Sequence, residues 1–502
     1  MVNTETSHKL STPTARMMAH PQKFSTLDTI YKSIGSLPPL KNGRTVQTMD
    51  RLTAQELEGS IVHESRSNGG PKFALGFLIN IIFASCRQQG MPNVDELTVP
   101  LKTIRVRDNR LRTKFAGYSE SSEVPLYNSQ AESWNWCFDP GEGEQAGGST
   151  GAPLRQEKEF THFLNTVSTV VKQKLHTSAA KSELSKTSTH RCWMADWSDR
   201  IMPSAYCYER KPDLVLLENE LLPCDEISWK SPKVLAELTR ESFTPTARIA
   251  RTLDTKAYLV MIEQPWRRFV LALSFSKLEL RLHYYDRSRG SISPPFHLQR
   301  DPQEFLFILA CVVFGPRSAC IGFDDTIDII AQVPIPSPLS VPSLTTAALT
   351  NRVPVTSLLP LSTQGIYGTI RIRDDVYEVL GILFSSTGFL GRGTVCYLVR
   401  RNGIIYVIKD HWVAGDPLHE ANMLMRVQGI KGVPSLIDYW QVEVVEDVIE
   451  KTDRYREERF RSKMKSIRAH VRLVTSPQVH PLMRFSSKKE LVITIRGILG
   501  SK

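Results

Sequence analysis

Two glycines, a lysine and a glutamate in the last third of the chain could together hold a polyphosphate. Gly391 and Gly393 flank Arg392 and are followed by Thr394 and Val395. A glycine in a strand turn lets backbone N–H groups approach phosphate oxygens that a side chain would keep away. Lys409 ends a β-rich run from Gly403, and Ile405, Val407 and Lys409 share one face by two-residue alternation. A lysine on a half-buried strand needs an anion. Glu420, on the first turns of the next helical pattern, can reach back to supply it. The chemistry expected of this set is electrostatic grip on phosphate oxygens.

A second set of residues points elsewhere. Pro212-Asp213 is followed, after a strand gap, by Glu237-x-Thr239, with Glu157 and Glu159 on a helix upstream. This spacing resembles the restriction-endonuclease-like core. Two strand carboxylates there hold a divalent metal and a lysine orients the attacking water. Thr239 stands where that lysine is expected, so a degenerate site is the reading. Arg267-Arg268 beside Trp266 could bind phosphate or form a strand edge. The run Arg459-Phe460-Arg461-Ser462-Lys463-Met464-Lys465 could be a nuclear-localisation or nucleic-acid patch. A solvated insertion over Glu450 to Arg468 is the preferred reading.

Elements must position these groups. Helical spacing of apolar residues predicts a helix from Glu159 to about Leu175, and others at 247–263 and 302–314. Strands are expected at 213–217, 233–238, 269–275 and 278–285. Residues 364–412 read as antiparallel strands. Asp416-Pro417 offers an N-cap and an N1 proline for a helix at 418–427, with Leu418, Ala421, Leu424 and Met425 inward.

Composition sets the frame. The 502 residues allow two or three domains, and the formal net charge of +11 is spread along the chain. Nucleic acid is therefore a second candidate partner after protein. The eight cysteines form no C-x-x-C pair, which argues against zinc and against a disulfide framework. An intracellular place, cytoplasmic or nuclear, is expected. The polar amino terminus is no signal peptide, and the longest apolar run, Phe73 to Cys86, is too short to span a bilayer.

The run Gly391-Arg392-Gly393-Thr394, then Lys409-Asp410-His411-Trp412, then Glu420-Ala421-Asn422-Met423-Leu424 resembles the fungal-type protein kinase family. Gly429-Ile430-Lys431-Gly432-Val433-Pro434 and His470-Val471-Arg472-Leu473-Val474 continue the likeness. Upstream, Arg191-Cys192-Trp193, Arg210-Lys211-Pro212-Asp213, Ala236-Glu237-Leu238-Thr239, Gln264-Pro265-Trp266-Arg267-Arg268-Phe269 and Asp286-Arg287-Ser288 resemble the family's amino-terminal region. The likeness spans roughly residues 155–502.

The resemblance implies an α+β chain. Residues 1–60 are expected to be mostly disordered, with a short helix at 54–58, and 61–152 to be helical and loop-like. A mixed α/β domain, restriction-endonuclease-like in one reading, should occupy 153–330. A proline-rich linker over 331–363 should lead to a kinase-like amino lobe at 364–502, truncated, with the two packed separately. ATP binding would fall to Gly391, Arg392, Gly393, Thr394, Val395, Val407 and Lys409, with Lys409 and Glu420 paired. Two departures bear on activity. Cys396 replaces the third loop glycine, and no His-Arg-Asp or Asp-Phe-Gly follows Lys409. The expectation is weak ATP binding, no Mg²⁺ site and a pseudokinase. The alternative is a degenerate nuclease-like, DNA-associated interaction protein.

Overall fold

The computed structural model describes residues 82–84, 94–106, 124–136, 154–178, 191–204, 209–218, 227–243, 248–288, 290–329, 365–386, 388–430, 433–445, 447–455, 467–478 and 487–500. The expected helix at 54–58, most of the apolar run at 73–86, the linker at 331–363 and the basic run at 459–465 lie outside them. We number the helices from Val94 onward and the strands of the two large sheets.

Helix α1, Val94–Thr103, precedes α2, Leu154–Ser178. In α2, Phe160, Phe163, Leu164, Val167, Val170 and Val171 recur at three- and four-residue steps, and all six are buried. The first sheet follows. Its strands are β1 (Arg191–Met194), β2 (Leu214–Glu218) and β3 (Val234–Thr239), then helix α3 (Arg248–Glu263), then β4 (Phe269–Ser276), β5 (Glu279–Asp286) and β6 (Gly290–Ile292). They lie side by side in the order β6-β5-β4-β3-β2-β1. Only β3 and β4 run parallel, joined through α3 as a parallel crossover requires. Leu214, Leu216, Ala236, Leu271 and Leu273 enter one apolar cluster with α2. Val215, Leu217, Leu235, Val270 and Ala272 enter another with α3. Burial on both faces explains why these strands read as near-continuous apolar runs.

Helix α4, Pro302–Phe314, buries every residue from Phe305 to Val313, which suits its apolar sequence all round. Helix α5, Arg317–Ile321, ends at Gly322 with φ +80°. A Cβ there would lie 2.8 Å from Cδ2 of Phe269, so glycine is required.

The second sheet comprises β7 (Ile327–Ile329), β8 (Gly368–Ile372), β9 (Asp375–Ser385), β10 (Val395–Arg401) and β11 (Ile404–Ala414). Helix α6 (His419–Arg426) follows, then β12 (Ser435–Gln441) and β13 (Arg468–Ser476), then α7 (Lys488–Gly500). The strand order is β7-β8-β9-β10-β11-β13-β12, antiparallel throughout. Val379, Val395, Tyr397, Val399, Ile408 and Val474 project from one face into the same cluster as α4 and β4. Val471 and Leu473 project from the other face, with Leu436 and with Ala421 of α6.

The expectation of two separately packed units is thereby corrected. Residues from Arg51 to Lys502 form one compact unit. Strand β7, the tail of the first segment, pairs with β8. Arg472 of β13 reaches Asp324 at 2.5 Å and Asp410 at 3.2 Å. A proline-rich stretch speaks only of its own backbone. The apolar face of the second sheet demands cover, and the first segment supplies it.

The charged run beginning at Glu450 also differs from the expected solvated insertion. Glu450, Thr452 and Tyr455 are buried. Tyr455 packs against Phe269 and Tyr284 with ring centroids 5.4 and 5.5 Å away. Cys320 is disulfide-bonded, a bridge the cysteine spacing did not suggest. Among the described residues no helix is long and apolar enough to cross a membrane.

Candidate functional site

Lys409 sits in β11 opposite Cys396 of β10 and Leu473 of β13. Two-residue alternation puts it on the α6 face of the sheet, away from the core shared with the first segment. Its Nζ donates to Oε1 of Glu420. Arg392 Nη2 donates to the other carboxylate oxygen at 3.0 Å. His411, on the same face of β11, brings Nε2 to 3.5 Å from that oxygen, with its ring fully buried. Burial raises the Glu420 carboxyl, but the Lys409 hydrogen bond and the charges of Lys409, His411 and Arg392 outweigh it and hold the pKa below its ordinary value. Burial, then Lys409, depress His411 to about 4, so its ring is neutral at pH 7. The Lys409 and Glu420 side chains are 26% and 32% exposed. Solvent therefore screens the pair, and its contribution should be about 1 kcal/mol or less.

Helix α6 presents Glu420 by a route slightly different from the expected one. Asp416 does not cap the helix directly. Its Oδ1 accepts the Leu418 N–H at 2.9 Å, and the helix begins at His419. Ala421 is buried and Leu424 packs against Leu436, Val471 and Leu473. Met425, expected inward, is exposed. An eight-residue helix has room for only a narrow buried stripe.

The glycine loop between β9 and β10 departs further from expectation. Gly391 and Gly393 both have positive φ, +116° and +48°. Gly391 has open space where a Cβ would stand. Gly393 has none: a Cβ would lie 2.7 Å from Cζ and 2.8 Å from Cδ of Arg287. Its lack of a side chain makes room for a residue of the first segment. The Thr394 carbonyl accepts the Ser386 N–H at 2.8 Å, closing the loop neck. Val395 is buried in the core shared with the first segment, on the face opposite Lys409. Val407 shares the Lys409 face and is half-buried, opposite Leu398. The structure thus brings Arg392, Lys409 and Glu420 together, with Val407 alongside, and turns Val395 and Gly393 toward the first segment.

The carboxylates of the first segment also converge. Glu237 of β3 is buried and pairs with Lys256 of α3. It accepts the Asp213 N–H at 3.2 Å, and Asp213 Oδ2 accepts the Leu238 N–H at 2.8 Å. Burial pushes Glu237 up to about 7, against the pull of Lys256. Glu157 of α2 is raised by burial and feels the charge of Asp213. The Thr239 hydroxyl accepts the Glu241 N–H at 3.1 Å. Among the described residues no group of three or more histidine, cysteine, aspartate or glutamate side chains is arranged to hold a metal ion.

Arg267 and Arg268 lie at the start of a strand, as one of the two expectations had it: Arg267 bridges Phe323 in antiparallel fashion and the Arg268 N–H donates to the Gly322 carbonyl. Their side chains are buried structural cations rather than a phosphate patch. Arg267 donates to the carbonyls of Lys233 and Ile321. Arg268 binds the Phe323 and Ser318 carbonyls at 3.0 and 2.7 Å and the Glu450 carboxylate at 2.7 Å. Sequence reasoning missed the loop contacts of Phe389 and Arg287. A large apolar residue inside a glycine-rich turn was the available signal, because exposed phenylalanine there would have no partner.

A model of the fungal protein kinase family matches residues 211–501, more than half the chain. The chain belongs to that family. No curated protein and no solved structure gives a match.

Proposed function

We propose that residues 364–502 form the nucleotide-gripping lobe of a fungal-type protein kinase, holding ATP weakly and transferring no phosphate by themselves. The observation that carries this is the Lys409–Glu420 pair beside a glycine loop. In kinase chemistry a lysine held by a helix glutamate binds α/β-phosphates, and a glycine loop covers them. Arg392 adds a second cation over the same carboxylate. Thr394 and Val407 would line the roof of the site. Transfer also needs a carboxylate base and metal ligands. No His-Arg-Asp or Asp-Phe-Gly follows Lys409 in these residues. Residues 364–502 by themselves therefore supply no such base or metal ligand. Calorimetry with ATP tests the reading. Dissociation constants weaker than micromolar, with binding lost in Lys409→Ala, are expected. Binding that survives Lys409→Ala unchanged would overturn it.

A second reading is favoured by one observation in the first segment. The order α2-β1-β2-β3-α3-β4 brings Glu157, Asp213, Glu237 and Lys256 to one end of the sheet. That order and residue set fit a restriction-endonuclease-like core, with Lys256 of the helix standing in for the lysine absent at Thr239. The ammonium group already neutralises Glu237, so a degenerate, structural site serving a DNA-associated interaction protein is the form this reading takes. Duplex DNA cut in the presence of Mg²⁺ or Mn²⁺, and left intact by Glu237→Gln, would instead mean an active nuclease.

A further inference from the structure

The glycine loop is built against the first segment. Phe389, within the loop, is 1% exposed. Its ring meets Tyr258 of α3 edge-on, and Tyr285 of β5 at a tilt, each with centroids 5.9 Å away. Arg287, just past β5, is equally buried. Its Nη1 donates to the carbonyls of Gly388 and Phe389 at 3.1 and 3.4 Å. Its own carbonyl accepts the Gly391 N–H at 2.8 Å. The guanidinium lies where a Gly393 side chain would stand. Its Nε has no hydrogen-bond partner. Close packing and the carbonyls therefore hold Arg287 there at the expense of one buried donor. These contacts come from the face opposite Lys409.

We propose that Arg287, together with the Tyr258–Tyr285 pocket for Phe389, positions the glycine loop, so that the α/β segment sets how well the second sheet binds a nucleotide. A glycine-rich loop left free has many conformations to lose when a ligand orders it. Here the order exists beforehand, and Arg392, between the two glycines, is kept over Glu420. The nucleotide half of this inference rests on the function proposed above; the loop half does not.

The test uses the full chain. Hydrogen exchange of a peptide spanning 386–394 should quicken about tenfold in Phe389→Ala, with β10 and β11 unchanged, and Phe389→Leu should restore much of the protection. Unchanged exchange in Phe389→Ala overturns the proposal. A double-mutant cycle gives a second, independent reading. Gly393→Ala should destabilise the wild-type chain more than the Arg287→Ala chain. The strain of an alanine at positive φ is common to both backgrounds, and the clash with Arg287 is not. Additive effects would remove Arg287 from the clamp. Calorimetry with ATP should show affinity roughly fivefold weaker in Phe389→Ala. An unchanged affinity beside faster exchange overturns the nucleotide half. A parent chain that binds no ATP overturns the proposed function, while exchange still decides the clamp.

Discussion

Arg268, one residue before β4, places Nη1 2.7 Å from Oε2 of Glu450, a residue 182 positions later in the chain. Both side chains are almost fully withdrawn from water. Removing one partner of such a pair leaves an uncompensated buried charge, at a cost of about 3–5 kcal/mol. Glu450→Ala should therefore lower stability by that order in denaturant titrations. Arg268→Met with Glu450→Met should lose much less. A Glu450→Ala loss below about 1 kcal/mol would be the surface-pair value and would contradict the burial described here.

Glu420 offers the matching contrast. It too is held by cations, Lys409 and Arg392, but in partial contact with solvent. Glu420→Gln should change stability by about 1 kcal/mol or less, measured in the same titrations. A loss as large as that of Glu450→Ala would mean the pair is sealed from water.

Limited proteolysis should cut first between Val333 and Pro360. The nicked pieces should then elute together from a sizing column, because β7–β8 pairing and the Asp324–Arg472 and Arg268–Glu450 contacts join them. Pieces that separate without denaturant would contradict the shared core.

Acid should act on this protein in two stages. Burial depresses His283 to about 3 and His411 to about 4. Both are neutral in the folded chain, and in the unfolded chain each takes a proton near pH 6.5. Stability is therefore full above that value and falls as pH drops from about 6.5 toward 4. At 1.36 kcal/mol per pKa unit the upper limit is roughly 3 kcal/mol for His411 and roughly 5 kcal/mol for His283, whose loss continues to about pH 3. Asp324 and Asp410 give the second stage, in the same direction but at lower pH. Burial raises both carboxyls, but Arg472 and His470 outweigh it and hold them below the usual aspartate range. Their contribution is intact above about pH 3.9 and fades only below it. Glu237, pushed up to about 7, works the other way between pH 7 and 4.5. Relative to the wild-type chain, the denaturation midpoints of His283→Gln and His411→Leu should therefore fall less over that range, and profiles parallel to the wild type would contradict the histidine assignment.

Incubation of the purified chain with labelled ATP and a protein substrate should give no phosphate transfer, since positioning and electrostatics supply nearly all catalysis in this reaction. Label incorporation that survives repurification and disappears in Lys409→Met would contradict this.

Much of the first segment was legible from composition alone. Helix α4 begins and ends where the sequence pattern placed it, and β2 to β5 lie within two residues of their expected limits. Residues buried on both faces make long apolar runs, which are hard to misread. The Lys409–Glu420 pair was legible too, because strand and helix periodicities each point one side chain at the other. What covers the second sheet was not. Alternation in β10 says that Val395, Tyr397 and Val399 are buried, but not against what. Glu450 was hidden in a run of charges, where average polarity masks one buried carboxylate. Gly393 looked like any phosphate-loop glycine. Only the distant Arg287 shows why that position has no side chain.

The covered face of the second sheet has a practical corollary. Val379, Tyr397, Val399 and Ile408 would all meet water if the chain were shortened to begin at Gly365. A contiguous apolar sheet face of that kind invites self-association. The stub of β7 would be missing as well, leaving β8 as an unpaired edge. Anyone trimming this protein for crystallisation or ligand screening should therefore cut no later than the start of α2, and should treat a tidy stand-alone lobe as a recipe for inclusion bodies.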